Sequence, residues 1–154
     1  MAELVNSWEQ PIDTGEIPPS STKFDAIVVG GGPGGSSAAG YLAMAGKTVL
    51  LLEKGLWPRD KICGDAVGGK SLGHVKALGV KETLESTPHF RVTGIKFSSP
   101  KGKTVRGALP EEDVQRLEAG YSLPRLQFDH WLFDRCQHLV RETGGMVIQD
   151  CAVT

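Results

Sequence analysis

An α/β fold of three layers around a mainly parallel sheet is predicted by two observations. The run Asp25-Ala26-Ile27-Val28-Val29 is an apolar strand that breaks into the turn Gly30-Gly31-Gly32-Pro33-Gly34-Gly35 and then into a helix of small residues. A second apolar run, Thr48 to Leu52, follows that helix and closes on an acidic residue, Glu53. Strand, glycine turn, helix and second strand are the parts of a Rossmann-like βαβ unit able to hold a dinucleotide.

Each part has a separate job. Gly30 lets the chain turn sharply out of the first strand, Gly32 removes a side chain so that backbone can approach a pyrophosphate, and Gly35 lets the helix lie close on the sheet. Pro33 suits the first turn of a helix, where its missing N–H has no intrahelical partner to lose. From Gly34 to Ala45 the residues Ser36, Ser37, Ala38, Ala39 and Ala43 favour tight packing, and Gly46 ends the helix. The start of this helix offers free N–H groups and the positive end of the helix dipole to phosphate oxygens. Thr48 to Leu52 is apolar throughout, as in a buried parallel strand. Glu53 is placed to accept hydrogen bonds from both hydroxyls of an adenosine ribose. Its charge would repel a 2′-phosphate, which favours FAD or NAD over NADP.

The rest of the chain is read in order. Residues 1–22, with Pro11, Pro18, Pro19 and a Ser-Ser-Thr cluster, are expected to be a flexible extension, and residues 23–154 form the main unit. Lys54 to Gly69 is a long ordered loop of glycines, charges and a proline. A helix over 70–78 is ended by Gly79. Within an inserted segment, 86–124, Phe90, Val92, Ile95 and Phe97 are strand-like, Ser99-Pro100-Lys101-Gly102 is turn chemistry, and Thr104 to Leu109 runs back as a β-hairpin. Pro110-Glu111-Glu112-Asp113 opens a short helix, with Gly120 after its end. Phe128, Trp131, Leu132, Cys136, Leu139 and Val140 recur at helical spacing, Gly144-Gly145 stops that helix, and Met146 to Ile148 begins a strand.

Composition sets limits. The chain has 154 residues, 40% of them hydrophobic, a formal net charge of -1, and no apolar run long enough to cross a bilayer. Charge of this size implies no nucleic-acid partner, and the opening residues have no secretory pattern, so a cytoplasmic location is expected. Cys63, Cys136 and Cys151 form no Cys-x-x-Cys pair, and the four histidines have no ligand spacing, so no metal site is assigned. No catalytic residue is nominated.

The turn Gly30 to Gly35, the strand ending Leu52-Glu53-Lys54 and the segment Arg59-Asp60-Lys61-Ile62-Cys63-Gly64-Asp65 together resemble the geranylgeranyl reductase family of FAD-dependent oxidoreductases, which shares the p-hydroxybenzoate hydroxylase fold. Arg125-Leu126-Gln127-Phe128-Asp129 is similar to that group's arginine, two variable residues, then Phe-Asp at a helix start. Asp150-Cys151-Ala152-Val153 resembles the segment whose backbone meets the adenine. The resemblance implies an FAD-binding domain with the start of a β-rich substrate-binding region, cut short as an N-terminal fragment. It implies cofactor contacts from Gly30, Gly32, Pro33, Gly34, Gly35, Glu53, Lys54, Cys63, Gly64, Ala66, Arg125 and Val153. Cys63 is expected to contribute backbone rather than thiol chemistry. Lys61 and Arg59 either offset negative charge on a reduced flavin or phosphate or are solvated loop charges.

The reaction implied is reduction of isoprenoid carbon–carbon double bonds by hydride from FAD, itself reduced by NAD(P)H or another external donor. The implied substrate is a small molecule or an isoprenoid lipid, with peripheral membrane contact. Two alternatives stand beside it: an FAD-dependent monooxygenase or halogenase of the same fold, and a non-catalytic nucleotide-binding module.

Overall fold

The computed structural model describes residues 14–62, 64–112 and 120–154. Its centre is a parallel sheet of β1 (Ala26–Val29), β2 (Val49–Leu52) and β8 (Met146–Ile148), in the order β1–β2–β8. Ala26 is in register with Val49 and Val29 with Leu52, so the two strand ends that carry Gly30 and Glu53 lie side by side. Leu52 is in turn level with Ile148, which brings residues 150–153 to the same edge.

Helix α1 (Pro33–Met44) begins at a proline, has no side-chain cap at Gly32, and ends where Gly46 takes a φ of 74°. It packs with α4 (Arg125–Glu142) on one face of the sheet. There Val49, Leu51 and Val147 meet Ala39, Ala43, Phe133 and Val140 in one buried cluster. Each large apolar side chain so buried stabilises the fold by roughly 1.5–3 kcal/mol relative to exposure. At Gly40 a Cβ would stand 2.9 Å from the Leu78 side chain, so a side chain there would crowd this layer. The apolar positions of α4 are buried as their spacing predicts, and Asp129, His130 and Gln137 are buried with them.

On the opposite face, Ile27, Leu50, Leu52 and Ile148 line an open hollow together with Ile17, Pro18, Pro19 and Phe24, and Ile17 and Ile27 stay exposed. The Gly15 N–H donates to the Val147 carbonyl at 3.0 Å, and the Gln149 N–H to the Thr14 hydroxyl at 2.9 Å. The chain is thus tied to the sheet at β8 and then turns at Pro19–Thr22, where the Thr22 N–H donates to the Pro19 carbonyl at 2.9 Å.

The 54–69 loop ends in structure that its sequence does not signal. β3 (Ala66–Val67) pairs antiparallel with β7 (Tyr121–Ser122), which also pairs with β4 (Phe90–Arg91). Phe90 thus joins this small sheet rather than the hairpin, which is confined to β5 (Gly94–Ser98) and β6 (Thr104–Ala108). Between β3 and β4 in the chain lie α2 (Ser71–Ala77), ended by Gly79 at φ 79°, and a further short helix, α3 (Lys81–Ser86), that the sequence does not signal. The Tyr121 hydroxyl donates to Glu85 Oε1 at 2.6 Å and ties α3 to the small sheet. Of the helix expected from Pro110, only Glu111 and Glu112 are described, both helical; 113–119 lie outside the described residues.

Candidate cofactor site

The glycine turn has the geometry its spacing predicts. Gly30 has a φ of 98°, a left-handed conformation that costs an ordinary side chain strain. A Cβ on Gly35 would lie 1.8 Å from the Gly30 carbonyl oxygen, so only glycine permits this approach of helix to strand. A Cβ on Gly32 would come no nearer than 3.8 Å to anything, and nothing lies within 4 Å of one on Gly34. These two glycines face open space at the helix start, and the first turn of α1 contains no acidic residue to repel an anion. Gly31, which the glycine spacing does not single out, is crowded: a Cβ there would stand 2.4 Å from the Phe133 ring.

Glu53 stands at the end of β2 and is 2% exposed. Its Oε2 accepts the Gly31 N–H and lies 3.5 Å from Nη2 of Arg59; its Oε1 accepts the Gly55 N–H at 2.9 Å. The carboxylate therefore fastens the glycine turn to the following loop, beyond any contact with a ribose. Its backbone meets the far segment too, since the Cys151 N–H donates to the Glu53 carbonyl at 3.0 Å.

The candidate residues divide between two cavities. Gly30, Gly32, Glu53, Lys54 and Val153 line one of about 330 Å³, together with Arg59 and Lys61. Pro33, Gly34, Gly64, Ala66 and Arg125 line another of about 590 Å³, whose walls are largely apolar through Val75, Leu78, Phe128 and Leu132. Gly32 belongs to the first and Pro33 and Gly34 to the second, so the cavities adjoin across the start of α1. A third hollow of about 460 Å³, lined by Lys61, Asp65 and Arg125 among others, extends the second along the loop. Gly35 lines none of them and acts by packing. Cys63 lies outside the described residues.

Arg125 is held rather than mobile. Its Nε and Nη2 donate to Asp129 Oδ1 and Oδ2 at 2.7 and 2.6 Å, a two-pronged ion pair between side chains 12% and 2% exposed. Arginine and aspartate four apart share a helix face, so the spacing itself is a signal for the pair. The approach to α4 is fixed as well, because the Leu123 N–H donates to the Asp65 carbonyl at 2.9 Å. That bond and the β3–β7 pairing hold Gly64 and Ala66 beside Arg125.

The Cys136 thiol is packed inside the fold and not placed as a nucleophile. Burial pushes the Cys136 thiol up to about 12, a backbone hydrogen bond with Gly40 opposing this more weakly, so it is neutral and packed at ordinary pH. Among the described residues no group of three His, Cys, Asp or Glu side chains is placed to hold a metal ion.

A site with an uncapped helix start, open backbone at Gly32 and Gly34, a strand-end carboxylate and two adjoining cavities fits a long, diphosphate-bridged cofactor. Comparison with known proteins agrees. Residues 23–144 match the FAD binding domain family. The chain is 32% identical over 124 residues to a menaquinone reductase of Mycobacterium tuberculosis, covering 80% of this chain and 28% of the relative. It is 35% identical over 115 residues to a digeranylgeranylglycerophospholipid reductase of Methanothermobacter thermautotrophicus, covering 72% and 27%. Among solved structures, the myxobacterial chondrochloren halogenase CndH, described as FAD-dependent, superposes with a TM-score of 0.67 at 29% identity, over 82% of this chain and 28% of that one. The chain thus spans little more than a quarter of the length of these two curated relatives. It belongs to the FAD binding domain family, its cofactor is FAD, and its sequence relatives include the geranylgeranyl-type reductases.

Proposed function

We propose that this chain forms the nucleotide-gripping part of a geranylgeranyl reductase-like, FAD-dependent oxidoreductase that reduces isoprenoid carbon–carbon double bonds. The observation that carries the reading is the pair of cavities adjoining at the start of α1, one ending at Glu53 and the other at Arg125. In this reading Gly30, Gly32, Pro33, Gly34 and the first turn of α1 receive the diphosphate. Glu53 binds the ribose, and Lys54 and Val153 flank the adenosine. Backbone of Gly64 and Ala66 meets the flavin end together with the Arg125 side chain, while Gly35 sets the turn. Bound FAD supplies, in its reduced form, a hydride for the double bond, with electrons from NAD(P)H or another external donor. The chain's own work is to bind and orient the cofactor and to line its second half with apolar side chains that exclude water.

The isoprenoid substrate is supported by the activities for which the reductase relatives are named. It is also supported by the hairpin, where Ile95, Phe97 and Val105 lie exposed on one face and Lys96 pairs with Arg106 on the other. Such a surface suits an apolar chain with an anionic head, and contact with a membrane surface belongs to the same reading. No helix among the described residues is long and apolar enough to cross a membrane. A cytoplasmic location is supported by the free thiols of Cys136 and Cys151.

The likeness to a halogenase structure keeps the oxygen-using alternative as a second reading. Anaerobic mixing of the reduced flavoprotein with a geranylgeranyl lipid or a prenylated quinone separates them. The proposal expects flavin reoxidation with loss of a carbon–carbon double bond. Reoxidation only with oxygen, and a product carrying new oxygen or halogen, would sink it.

A further inference from the structure

A carboxylate offers about four lone-pair positions. On Glu53, two are taken by the Gly31 and Gly55 N–H groups and a third by the Arg59 guanidinium. A ribose diol brings two hydroxyl donors and finds one position open. The backbone donors belong to the glycine turn and the following loop and cannot leave without opening them. Arg59 can leave: at 3.5 Å its contact with Glu53 is long for an ion pair.

The surroundings of Arg59 indicate where it goes. Its guanidinium lies 4.6 Å from the centre of the Trp57 ring, and Trp57 is itself fixed, stacked on Phe133 at 5.0 Å with its backbone N–H donating to Gln149 at 2.7 Å. Arg59 Nε is buried without a hydrogen-bond partner among the described residues. Its Nη2 lies 3.8 Å from where a Cβ on Gly32 would stand, at the glycine whose backbone is open to a diphosphate. A guanidinium with an idle N–H and a loosely held Nη2, beside the start of α1, has the fork that a phosphate accepts.

We propose that Arg59 guards Glu53 and transfers to the diphosphate of an entering adenine dinucleotide, which frees the carboxylate for the ribose and couples the two recognitions. The inference rests on the FAD reading of this site. It predicts an asymmetry between ligands with and without phosphate. Adenosine must displace Arg59 with nothing to receive it, whereas ADP supplies the receiving oxygens.

The test is the affinity of the full chain for ADP and for adenosine, by calorimetry and ligand-observed NMR, in wild type, Arg59→Gln and Arg59→Lys, with thermal melts to verify folding. Arg59→Gln is expected to weaken ADP by roughly 10- to 100-fold, the worth of a charge-assisted hydrogen bond, and to hold adenosine as well as wild type or better. Arg59→Lys, which keeps the charge, recovers part of the ADP affinity. Equal weakening of both ligands in the folded variants, or an unchanged ADP affinity, overturns the inference and leaves the FAD reading standing. A folded wild type that binds neither FAD, ADP nor adenosine overturns both.

Discussion

Removing both members of the Arg125–Asp129 pair should destabilise the protein far less than the sum of removing each alone. The guanidinium and carboxylate meet through two short hydrogen bonds, 2.7 and 2.6 Å, and the side chains are 12% and 2% exposed. Losing Arg125 leaves the Asp129 carboxylate in low dielectric without that counterion, at a cost of about 3–5 kcal/mol, and losing Asp129 removes two charge-assisted hydrogen bonds from Arg125. Asp129→Leu and Arg125→Met are each expected to cost about 3 kcal/mol, which lowers the melting temperature by roughly 6–12 °C for a chain of this size. The double variant places two apolar side chains in contact, so it should recover a coupling of about 2–3 kcal/mol over the sum of the singles. Urea and thermal denaturation of the four proteins give the cycle. Singles that cost less than about 1 kcal/mol, or additivity within about 0.5 kcal/mol, would refute the argument. The folded double variant carries a second readout: it should bind FAD more weakly than wild type, because Arg125 lines the second cavity. Unchanged FAD affinity would leave the pair a purely structural role.

Gly35→Ala drives a Cβ to 1.8 Å from backbone at Gly30, so the turn must open. It is expected to exceed the roughly 1–3 kcal/mol of ordinary overpacking and to abolish FAD binding, whereas Gly34→Ala, with nothing near its Cβ, should fold normally. Circular dichroism melts and flavin fluorescence titration separate the two. Burial first, then the bond to Glu85, raises the Tyr121 hydroxyl to about 12 from its ordinary 10. The bond's contribution is complete below pH 10 and disappears as pH rises through about 12, so melting temperature should fall across that window in wild type and more weakly in Tyr121→Phe. Equal alkaline slopes in the two proteins would remove Tyr121 from the account. Alkylation of the folded protein near about pH 8 should modify Cys151 and spare Cys136 until the chain is unfolded, read by peptide mass mapping.

The sequence made the cofactor end of the fold legible where local signals coincide. β1, the glycine turn, α1 and β2 announce themselves by an apolar run, glycines at fixed offsets and a terminal carboxylate, and α4 by a spacing that fits eighteen helical residues. What stayed hidden depends on partners distant in sequence. β3, β4 and β7 are two residues each, too short to show any alternation, and exist because Tyr121–Ser122 bridges segments from either side. α3 has six residues and a single buried apolar side chain, which leaves no period to read. The Trp57–Phe133 stack and the bond from Trp57 to Gln149 join the loop to α4 and to the end of β8. The double duty of Glu53 was equally invisible, because its donors are backbone N–H groups that every sequence carries. Gly15 and Thr14 meet β8 through the same kind of bond, so no side-chain pattern marks that contact.

The central claim is that this chain grips FAD across the start of α1. Titration of the folded chain with FAD, followed by flavin fluorescence and with ADP as competitor, tests it most directly. The account predicts saturable one-to-one binding that ADP reverses. A folded chain that leaves flavin fluorescence unchanged at every concentration, with or without ADP, would contradict it.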